Sequence, residues 1–248
     1  MISVCMATYN GEKYIEKQMR SILSQISGED EVVIQDDCSS DNTIEIIKSL
    51  RDPRIRVEIN EKNQGHIKNF EIALTRAKGD IIFLSDQDDE WMPGKVEAVL
   101  RAFQDAGTMG VVTDAVVVDA EDKIINESYF QITGSRSGVL KNYIHNSYLG
   151  CCLAFRREVL QPALPIPRSV RTHDGWLGIV ANMLGDVVFL DEKLLRYKRH
   201  GNNASQMHRF GMGDVIKRRL SLAFHMVRVQ PTIYAVRQAR IRKGENAK

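Results

Sequence analysis

Apolar and polar positions change their spacing regularly along the first third of the chain. Short apolar or alternating runs predict strands at residues 2–7, 32–34, 55–59 and 81–84. Between them, apolar residues at helical spacing predict helices at residues 15–26, 44–50 and 67–77. Strands that alternate with helices imply a mainly parallel sheet flanked by helices, with right-handed crossovers. The sequence therefore predicts an α/β, Rossmann-like fold.

Beyond Trp91 the pattern is less regular. A helix is expected at residues 94–106 and another from Thr172 to Met183, with strands at 109–113, 115–119, 150–155, 187–190 and 194–197. Between residues 121 and 147 the periodicity is weak, and we interpret this stretch as a variable substrate-side region.

Polar residues follow three of the predicted strands, at residues 8–11, 36–41 and 86–89. The carboxyl ends of parallel strands meet at one edge of a sheet, which is where ligands bind. Neither the GxGxxG of dinucleotide binders nor the GxxxxGK[ST] of phosphate-loop enzymes is present. The sequence therefore predicts a nucleotide site in which carboxylates and a metal ion, rather than a glycine-rich loop, hold a diphosphate.

The third of these segments carries three aspartates, Asp86, Asp88 and Asp89, directly after a short apolar strand. Carboxylates packed this closely repel one another unless a cation neutralises them. Oxygen ligands of this kind suit Mg²⁺ or Mn²⁺ held together with substrate phosphates. The alternative interpretation is an acidic loop that caps the next helix, with Asp89 near the start of that helix.

Charge divides the chain into an acidic body and a basic tail. Residues 209–248 contain ten basic and two acidic residues, a net charge of +8, and since the whole chain carries +2, residues 1–208 carry −6. We therefore expect a domain at 1–208 and a helical tail at 209–248. One broad apolar face of the tail combines Met212, Val215, Ile216, Leu220, Leu222, Ala223, Phe224, Met226 and Val227.

Pro231 ends this amphipathic helix, and a second basic segment follows. A basic amphipathic helix can lie in a membrane interface and be attracted to anionic lipids. Two alternatives stay open, in which the apolar face packs on the domain or on a second subunit of a homodimer. The acidic body and the lack of a recognised motif argue against nucleic-acid binding.

The four cysteines form neither a CxxC pair nor a disulfide framework, which favours reduced thiols and a cytoplasmic location. Neither a signal-peptide core nor a run of about 18 apolar residues is found, so we expect at most peripheral attachment to the inner face of a membrane.

Six polar motifs occur in an order that resembles the family 2 glycosyltransferases of the GT-A type. They are Thr8-Tyr9-Asn10, residues 36–43, Asn63-Gln64-Gly65 with Asn69, Asp86-Gln87-Asp88-Asp89, His173-Asp174 with Trp176, and residues 197–203. The form Ser85-Asp86-Gln87-Asp88-Asp89 with Trp91 is similar to bacterial rhamnosyltransferase-like members that build surface polysaccharides. The resemblance implies transfer of a sugar from a nucleotide-diphosphate sugar, such as dTDP-rhamnose or a UDP-sugar, to a glycan or polyprenyl-linked acceptor.

The resemblance also implies roles for donor-site residues. Thr8, Tyr9 and Glu12 would line the base and ribose pocket, and Asp36 or Asp37 would bond the nucleobase. Lys68 and Asn69 would approach the nucleotide, and Asp86 would contact the ribose or the donor sugar. Further candidates for substrate contact are Gln87 and Trp176. The competing interpretations are helix capping for Asp36 and Asp37 and plain solvation for Lys68.

Catalytic roles follow in the same way. Asp88 would bind the metal on the diphosphate, and His200 would be a third metal ligand or a phosphate contact. Asp174, at a predicted helix N-terminus, would be the general base of a single displacement with inversion. The commoner form of the family has an acid before this aspartate, where this chain has His173. The alternative for Asp174 is a role as a helix cap or dipole partner.

Two other functions compete with this interpretation. A sugar nucleotidyltransferase also uses aspartates on a Rossmann-like sheet but carries a glycine-rich, basic loop after the first strand, where this chain has Thr8-Tyr9-Asn10-Gly11-Glu12. A non-catalytic nucleotide-sugar-binding module is the second alternative. Retention of Asp88 and Asp174 argues against it, and turnover of a donor separates the two.

Overall fold

The structure is a computed structural model, and it describes residues 1–144, 146–170, 172–199 and 212–244. Within these residues the strands form one sheet in the order β3-β2-β1-β4-β8-β6-β9-β5, and β7 pairs with β6. The strands are β1 Ile2–Thr8, β2 Glu31–Asp36, β3 Ile55–Ile59, β4 Ile81–Ser85, β5 Glu90–Trp91, β6 Thr108–Val118, β7 Ile124–Asn126, β8 Leu153–Arg156 and β9 Asp186–Lys198.

Helices connect and cover these strands. They are α1 Ile15–Leu23, α2 Thr43–Ser49, α3 His66–Arg76, α4 Lys95–Ala102, α5 Tyr129–Thr133, α6 Val139–Ile144, α7 Leu160–Ala163, α8 His173–Leu184, α9 Met212–Arg228 and α10 Gln230–Arg242. Short 3₁₀ helices precede and follow β8, at Gly150–Cys152 and Arg157–Val159.

The first four long strands pair in parallel, as the alternation of strands and helices predicted. β1 lies between β2 and β4, with Val4 opposite Val32 on one side and Phe83 on the other. All three side chains are almost completely buried, because helices cover both faces of a parallel sheet. The α/β fold class is confirmed.

The second half of the sheet is mixed. β8 runs antiparallel to both β4 and β6, whereas β6 and β9 are parallel to each other. β8 therefore joins the parallel half of the sheet, formed by β1 to β4, to the half formed by β6 and β9. It also brings the short 3₁₀ helix at Gly150–Cys152 next to the carboxyl end of β4.

In two places, two consecutive strands predicted from the sequence form one long strand in the structure. The strands expected at 109–113 and 115–119 form β6, whose register with β9 shifts at Asp114. Asp114 is buried, and its carboxylate accepts hydrogen bonds from the Ser128 hydroxyl (2.5 Å) and the Phe130 amide (2.9 Å). The polar residue thus marks a bulge rather than a strand end. Likewise, the strands expected at 187–190 and 194–197 are both part of β9.

The C-terminal helices pack on the rest of the protein. In α10, Ile233 and Val236 are buried, and Arg240 pairs with Glu158 at 3.1 Å. The Arg237 guanidinium donates to the Met183 carbonyl at the end of α8 (2.6 Å). The boundary expected at 208 lies outside the described residues, so the division into two domains stays a prediction.

The broad apolar face predicted for the tail is divided between two environments in α9. Leu222 and Met226 pack against the core. An outer row remains exposed, formed by Ile216, Leu220, Phe224 and Val227. We call these four residues the outer row of α9. Of the three fates considered for the tail, packing on the domain therefore accounts for only one side of this helix.

The packing of α10 predicts different effects for two adjacent residues. Ile233 is 3% exposed and Tyr234 is 66% exposed. Ile233→Ala leaves a cavity against the core and should lower the free energy of unfolding by about 2–5 kcal/mol. Tyr234→Ala should change it by no more than about 0.5 kcal/mol. Urea denaturation measures both, and equal effects would mean that α10 does not pack as described.

Candidate active site

The loops after β1 and β2 are joined by buried hydrogen bonds. The Thr8 hydroxyl donates to Asp36 Oδ2 (2.7 Å), and the Ser39 amide and hydroxyl donate to the same carboxylate (2.8 and 2.6 Å). The Ser39 hydroxyl in turn accepts from the Asn10 amide (2.9 Å). Asp36 therefore holds two of the three predicted polar segments together at one edge of the sheet.

Asp37 holds the segment before α3. Its carboxylate accepts from the Gln64 and Gly65 amides (2.7 and 2.8 Å) and from the side chain of Asn60 (2.8 Å). Gly65 has a φ of 87°, which favours glycine. Asn69 is buried, and its amide group bonds Asn60 (2.6 Å) and the Gln35 carbonyl (2.9 Å). Asp37 and Asn69 thus have protein partners, and their predicted roles in nucleotide binding stay predictions.

The third segment is tied to the first by Gln87. Its side-chain amide accepts from the Tyr9 amide (2.9 Å) and donates to the Tyr9 carbonyl (3.0 Å). A Cβ atom at Gly11 would lie 2.4 Å from the Gln87 oxygen, so a side chain at this position would displace the Gln87 amide. The Tyr9 side chain itself is half exposed at the edge of the sheet.

Glu12 and Lys68 lie at the rim of the same edge. The Glu12 carboxylate accepts from the amide (3.1 Å) and side chain (2.7 Å) of Asn42, at the start of α2. Lys68, in the first turn of α3, pairs with Glu71 while half of its side chain remains exposed. All three predicted polar segments therefore meet at one edge, as the parallel strands implied.

The acidic residues after β4 form a cluster with a buried thiol. One ligand atom each from Asp86, Asp89 and Cys151 lie within 4.8 Å of one another. Asp89 Oδ1 accepts from the Lys198 amide (2.9 Å), whereas Oδ2 is buried without a hydrogen-bond partner among the described residues. The N-cap of the next helix is Gly94, so the alternative in which Asp89 starts that helix is wrong.

Charge and burial raise the pKa values of the groups in this cluster. Burial, followed by the neighbouring charges of Asp89, Asp88 and Asp174, raises the pKa of Asp86 well above its ordinary value. Burial and Asp88 raise the pKa of Asp89 in the same way. Burial also raises the pKa of the Cys151 thiol, which keeps it neutral. The cluster therefore favours uptake of a proton or a cation.

Asp174 lies in the first turn of α8, close enough to the acidic cluster for its charge to raise the pKa of Asp86. Its Oδ1 accepts from the Gly175 amide (2.6 Å). A Cβ atom at Gly150 would be 3.6 Å from Asp174 Oδ2, and the next residue, Cys151, belongs to the cluster, so the 3₁₀ helix at Gly150–Cys152 contacts both. Burial raises the pKa of Asp174, although hydrogen bonds from Gly175, Thr172 and Gly150 oppose the shift.

Its neighbours His173 and Trp176 are core residues. The His173 ring stacks on Phe70 with 4.0 Å between centroids, and neither ring nitrogen has a partner among the described residues. Burial, together with the nearby His66, lowers the pKa of His173 to about 3. Trp176 is buried, and its indole nitrogen donates to the Ala163 carbonyl (2.9 Å). A substrate contact by Trp176 stays a prediction.

Comparison with known proteins identifies the family of this chain. The sequence model of the family described as "Glycosyl transferase family 2" matches residues 3–163, well over half of the chain. The chain belongs to this family. The match covers every predicted site residue before Asp174.

Curated relatives of this family 2 chain include proteins of several bacteria. An uncharacterised glycosyltransferase of Nostoc sp. is 31% identical over 82% of this chain and 66% of its own length. The putative teichuronic acid biosynthesis glycosyltransferase TuaG of Bacillus subtilis is 28% identical over 83% of this chain and 81% of its own length. WfgD of Escherichia coli, a UDP-Glc:alpha-D-GlcNAc-diphosphoundecaprenol beta-1,3-glucosyltransferase, is 35% identical over 39% of this chain and 38% of its own length.

Solved structures show the same fold. S. aureus TarS 1–349 in complex with UDP-GlcNAc has a TM-score of 0.74 at 20% identity, over 91% of this chain and 66% of that one. A mannosyltransferase from Pyrobaculum calidifontis in complex with GDP-Man and Mn²⁺ has a TM-score of 0.63 at 17% identity, over 97% of this chain and 74% of that one. The GT-A fold expected for the glycosyltransferase is confirmed.

The carboxylates of the cluster in this glycosyltransferase fit a divalent cation. Asp86 and Asp89 supply hard oxygen atoms, and Asp89 Oδ2 is buried without a partner among the described residues. Asp88 lies close enough for its charge to raise the pKa of both carboxyl groups. Mg²⁺ and Mn²⁺ prefer such ligands, whereas a neutral thiol such as Cys151 is a poor one. The third ligand predicted from sequence, His200, lies outside the described residues.

One residue near this site, Lys95, was not among the residues predicted from the sequence. Lys95 is almost completely buried, and its ammonium donates to the Cys151 carbonyl (2.8 Å) and lies over the Trp91 ring. Lys95 thereby fixes the 3₁₀ helix that contacts both the acidic cluster and Asp174. The only hint was its position in the first turn of an amphipathic helix, where a lysine is normally solvated.

The environment of His173 predicts a pH-dependent stability difference. The unfolded chain binds a proton at this residue near pH 6.5, whereas the folded protein does so only near pH 3, so acidification favours unfolding. Lowering the pH from 7 to 5 should therefore destabilise the wild type by up to about 2 kcal/mol more than His173→Phe. Urea denaturation of both proteins at the two pH values measures the difference, and identical pH dependences would contradict it.

Proposed function

We propose that this chain is a metal-dependent, inverting glycosyltransferase that moves a sugar from a nucleotide-diphosphate sugar to a glycan or lipid-linked acceptor. The observation that carries the proposal is that the 3₁₀ helix at Gly150–Cys152 contacts both the acidic cluster, through Cys151, and Asp174, through Gly150. The family assignment supports the reaction class. The nucleotide sugars bound to the structural neighbours support the donor class.

The donor would lie across the edge formed by the loops after β1, β2 and β4. The exposed Tyr9 ring would stack on the nucleobase, because base–aromatic stacking needs only an open π-face. Thr8, Glu12 and the Asp36–Asp37 pair shape the base and ribose pocket. Lys68 and Asn69 border it from α3, and Asp86 with Gln87 faces the ribose or the donor sugar.

Asp88 and its neighbouring carboxylates would hold Mg²⁺ or Mn²⁺ on the donor diphosphate, with His200 as a further ligand. A bound cation supplies positive charge that offsets the charge of the leaving nucleoside diphosphate. The Mn²⁺ in the mannosyltransferase complex supports this choice of metal. The pair of raised pKa values in the cluster supports it independently.

Asp174 would act as the general base. Its carboxylate accepts the proton of an acceptor hydroxyl while the acceptor oxygen bonds to the anomeric carbon. The bond from that carbon to the diphosphate oxygen breaks on the opposite face, so the configuration inverts. A pKa raised by burial suits this role, because a base is most effective when its pKa lies near the working pH.

The two alternative functions are less well supported. In a nucleotidyltransferase the loop after β1 would cradle phosphates, whereas here its backbone bonds Gln87 and Ser39. A non-catalytic module would bind the donor without needing a base beside the cluster. The variant below separates this alternative from the proposal.

The role of Asp174 is tested by Asp174→Asn, compared with Asp186→Asn. Both changes remove one carboxylate near an end of α8, but Asp186 is exposed at the start of β9. Asp174→Asn should keep nucleotide-sugar binding and lower the transfer rate by about 10²–10⁴-fold, whereas Asp186→Asn should leave both unchanged. Calorimetric binding and release of nucleoside diphosphate measure the two effects, and near-normal transfer by Asp174→Asn would move the base elsewhere.

We place the protein at the cytoplasmic face of a bacterial membrane, attached through α9. The outer row of α9 is flanked by exposed Lys217 and Arg228, so the surface combines apolar side chains with positive charge. Such a surface complements anionic lipids. A relative that acts on a diphosphoundecaprenol substrate supports a lipid-linked acceptor. No helix within the described residues has the length and hydropathy that crossing a bilayer requires.

Membrane attachment predicts that two substitutions in the outer row reduce liposome binding. Leu220→Ser with Phe224→Ser should lower co-sedimentation with phosphatidylglycerol vesicles by at least about tenfold, since each side chain contributes about 1.5–3 kcal/mol when buried. The matched control, Ile124→Ser with Ile125→Ser, removes exposed apolar residues of β7 and should have no effect. Binding should weaken with salt. Equal pelleting of both double variants, or a dimer lost only in the α9 variant, would contradict attachment through this row.

A further inference from the structure

A cavity of about 230 Å³ lies between α6, α8 and the inner side of α9. Its walls combine aromatic and aliphatic side chains with two guanidinium groups. Those that matter for the argument are Asn142, Tyr143, Trp176, Arg218, Arg219 and Leu222. Pockets that enclose whole drug-sized ligands usually measure about 300–1,000 Å³, so this one suits the end of a larger molecule.

The cavity borders the proposed base. Thr172 and Gly175, which flank the sequence position of Asp174, both line it. The Thr172 side chain also hydrogen-bonds Asp174 and opposes the rise in its pKa. A molecule in the cavity therefore lies next to Asp174 on the side of α9, whereas the donor loops follow β1, β2 and β4. This is the position expected for an acceptor.

The lining of the cavity is positive, in contrast to the acidic cluster. It includes Arg218 and Arg219, and no Asp or Glu is among the described residues that line it. Arg219 is part of a fixed wall, because its guanidinium bonds the Ile144 carbonyl and lies over the Tyr143 ring, and the Tyr143 hydroxyl donates to the Arg219 carbonyl (3.0 Å). Guanidinium groups bind phosphate in a bidentate manner.

The polar side chains of the lining are already engaged within the protein. The Asn142 amide donates to the Arg136 and Gly138 carbonyls (3.1 and 2.9 Å), and its oxygen accepts from Ser147. The Ser169 hydroxyl accepts from Ser221 at 2.7 Å. The walls are otherwise mainly aromatic and aliphatic, with two guanidinium groups, and this combination suits a hydrocarbon chain that ends in phosphates.

We infer that this cavity binds the diphosphate and first isoprenoid units of a lipid-linked acceptor, with Arg218 as a phosphate-binding residue. The inference rests on the proposed function for its use in catalysis, but the site itself can be tested without turnover. It also gives α9 two roles on opposite sides, since at 100° per residue Arg218 and Leu222 project away from the outer row.

The fluorescence of Trp176 reports whether the cavity is occupied, because this residue lines the cavity and is one of only two tryptophans in the chain. The full chain is titrated with farnesyl diphosphate in EDTA, so that no divalent cation recruits a diphosphate to the acidic cluster. Two control ligands separate the contributions. Farnesol has the isoprenoid tail without phosphates, and inorganic pyrophosphate has the phosphates without a tail. We expect farnesyl diphosphate to change the tryptophan emission at concentrations at least tenfold lower than either.

Arg218→Gln should raise the dissociation constant for farnesyl diphosphate at least tenfold. The matched control is Arg242→Gln, which removes the same charge from an exposed position at the end of α10 and should have no effect. Leu222→Trp should also abolish binding by filling the cavity with all charges kept, provided that circular dichroism shows a folded protein. Emission changes are read relative to the unliganded form of each variant.

Three results would overturn the inference. They are equal weakening by the two arginine variants, binding of farnesol as tight as that of farnesyl diphosphate, and binding of pyrophosphate as tight as that of farnesyl diphosphate. The last result would indicate a site for free phosphates. Failure of the proposed function is distinguishable, because it would appear as absent donor turnover while these binding constants keep their predicted order.

Discussion

The mutual repulsion of carboxylates at the end of β4 is the constraint on which the rest of the site depends. Ligand atoms of Asp86 and Asp89 lie within 4.8 Å of each other, with Cys151 completing the cluster. At an effective dielectric constant of 20, two full charges at that distance repel by about 3.5 kcal/mol. Asp88 and Asp174 add to this field. The fold can keep these groups together only if a proton or a cation neutralises part of the charge, and a diphosphate with its cation fits that requirement.

The scaffold holds these charges in place with buried polar contacts. Asp36, Asp37 and Gln87 each tie two loops together, so the edge of the sheet is fixed before any ligand arrives. Lys95 fixes the 3₁₀ helix that contacts both the acidic cluster and Asp174. Several motif residues of the family are therefore structural in part, and their hydrogen bonds orient the groups that remain available to a substrate.

Much of the fold and the location of the site could be predicted from the sequence, because periodicity and the carboxyl ends of parallel strands are local signals. Asp114 shows where this fails, since a buried aspartate at a bulge breaks the same alternation that ends a strand. Contacts between distant segments had no signal at all, as in the case of Lys95 and Cys151. The apolar face of α9 could be predicted, but its division between the core and the exposed outer row depends on the position of α6 and α8.

The central claim is that the acidic cluster binds a divalent cation together with a nucleoside diphosphate. Electron paramagnetic resonance of free Mn²⁺, titrated with the protein in the presence of UDP, GDP or dTDP, measures this directly. The account predicts that one of these nucleotides tightens Mn²⁺ binding by the wild type, and that Asp88→Asn abolishes the effect while its circular dichroism spectrum is unchanged. Mn²⁺ binding that none of the nucleotides alters, or that survives in Asp88→Asn, would contradict it.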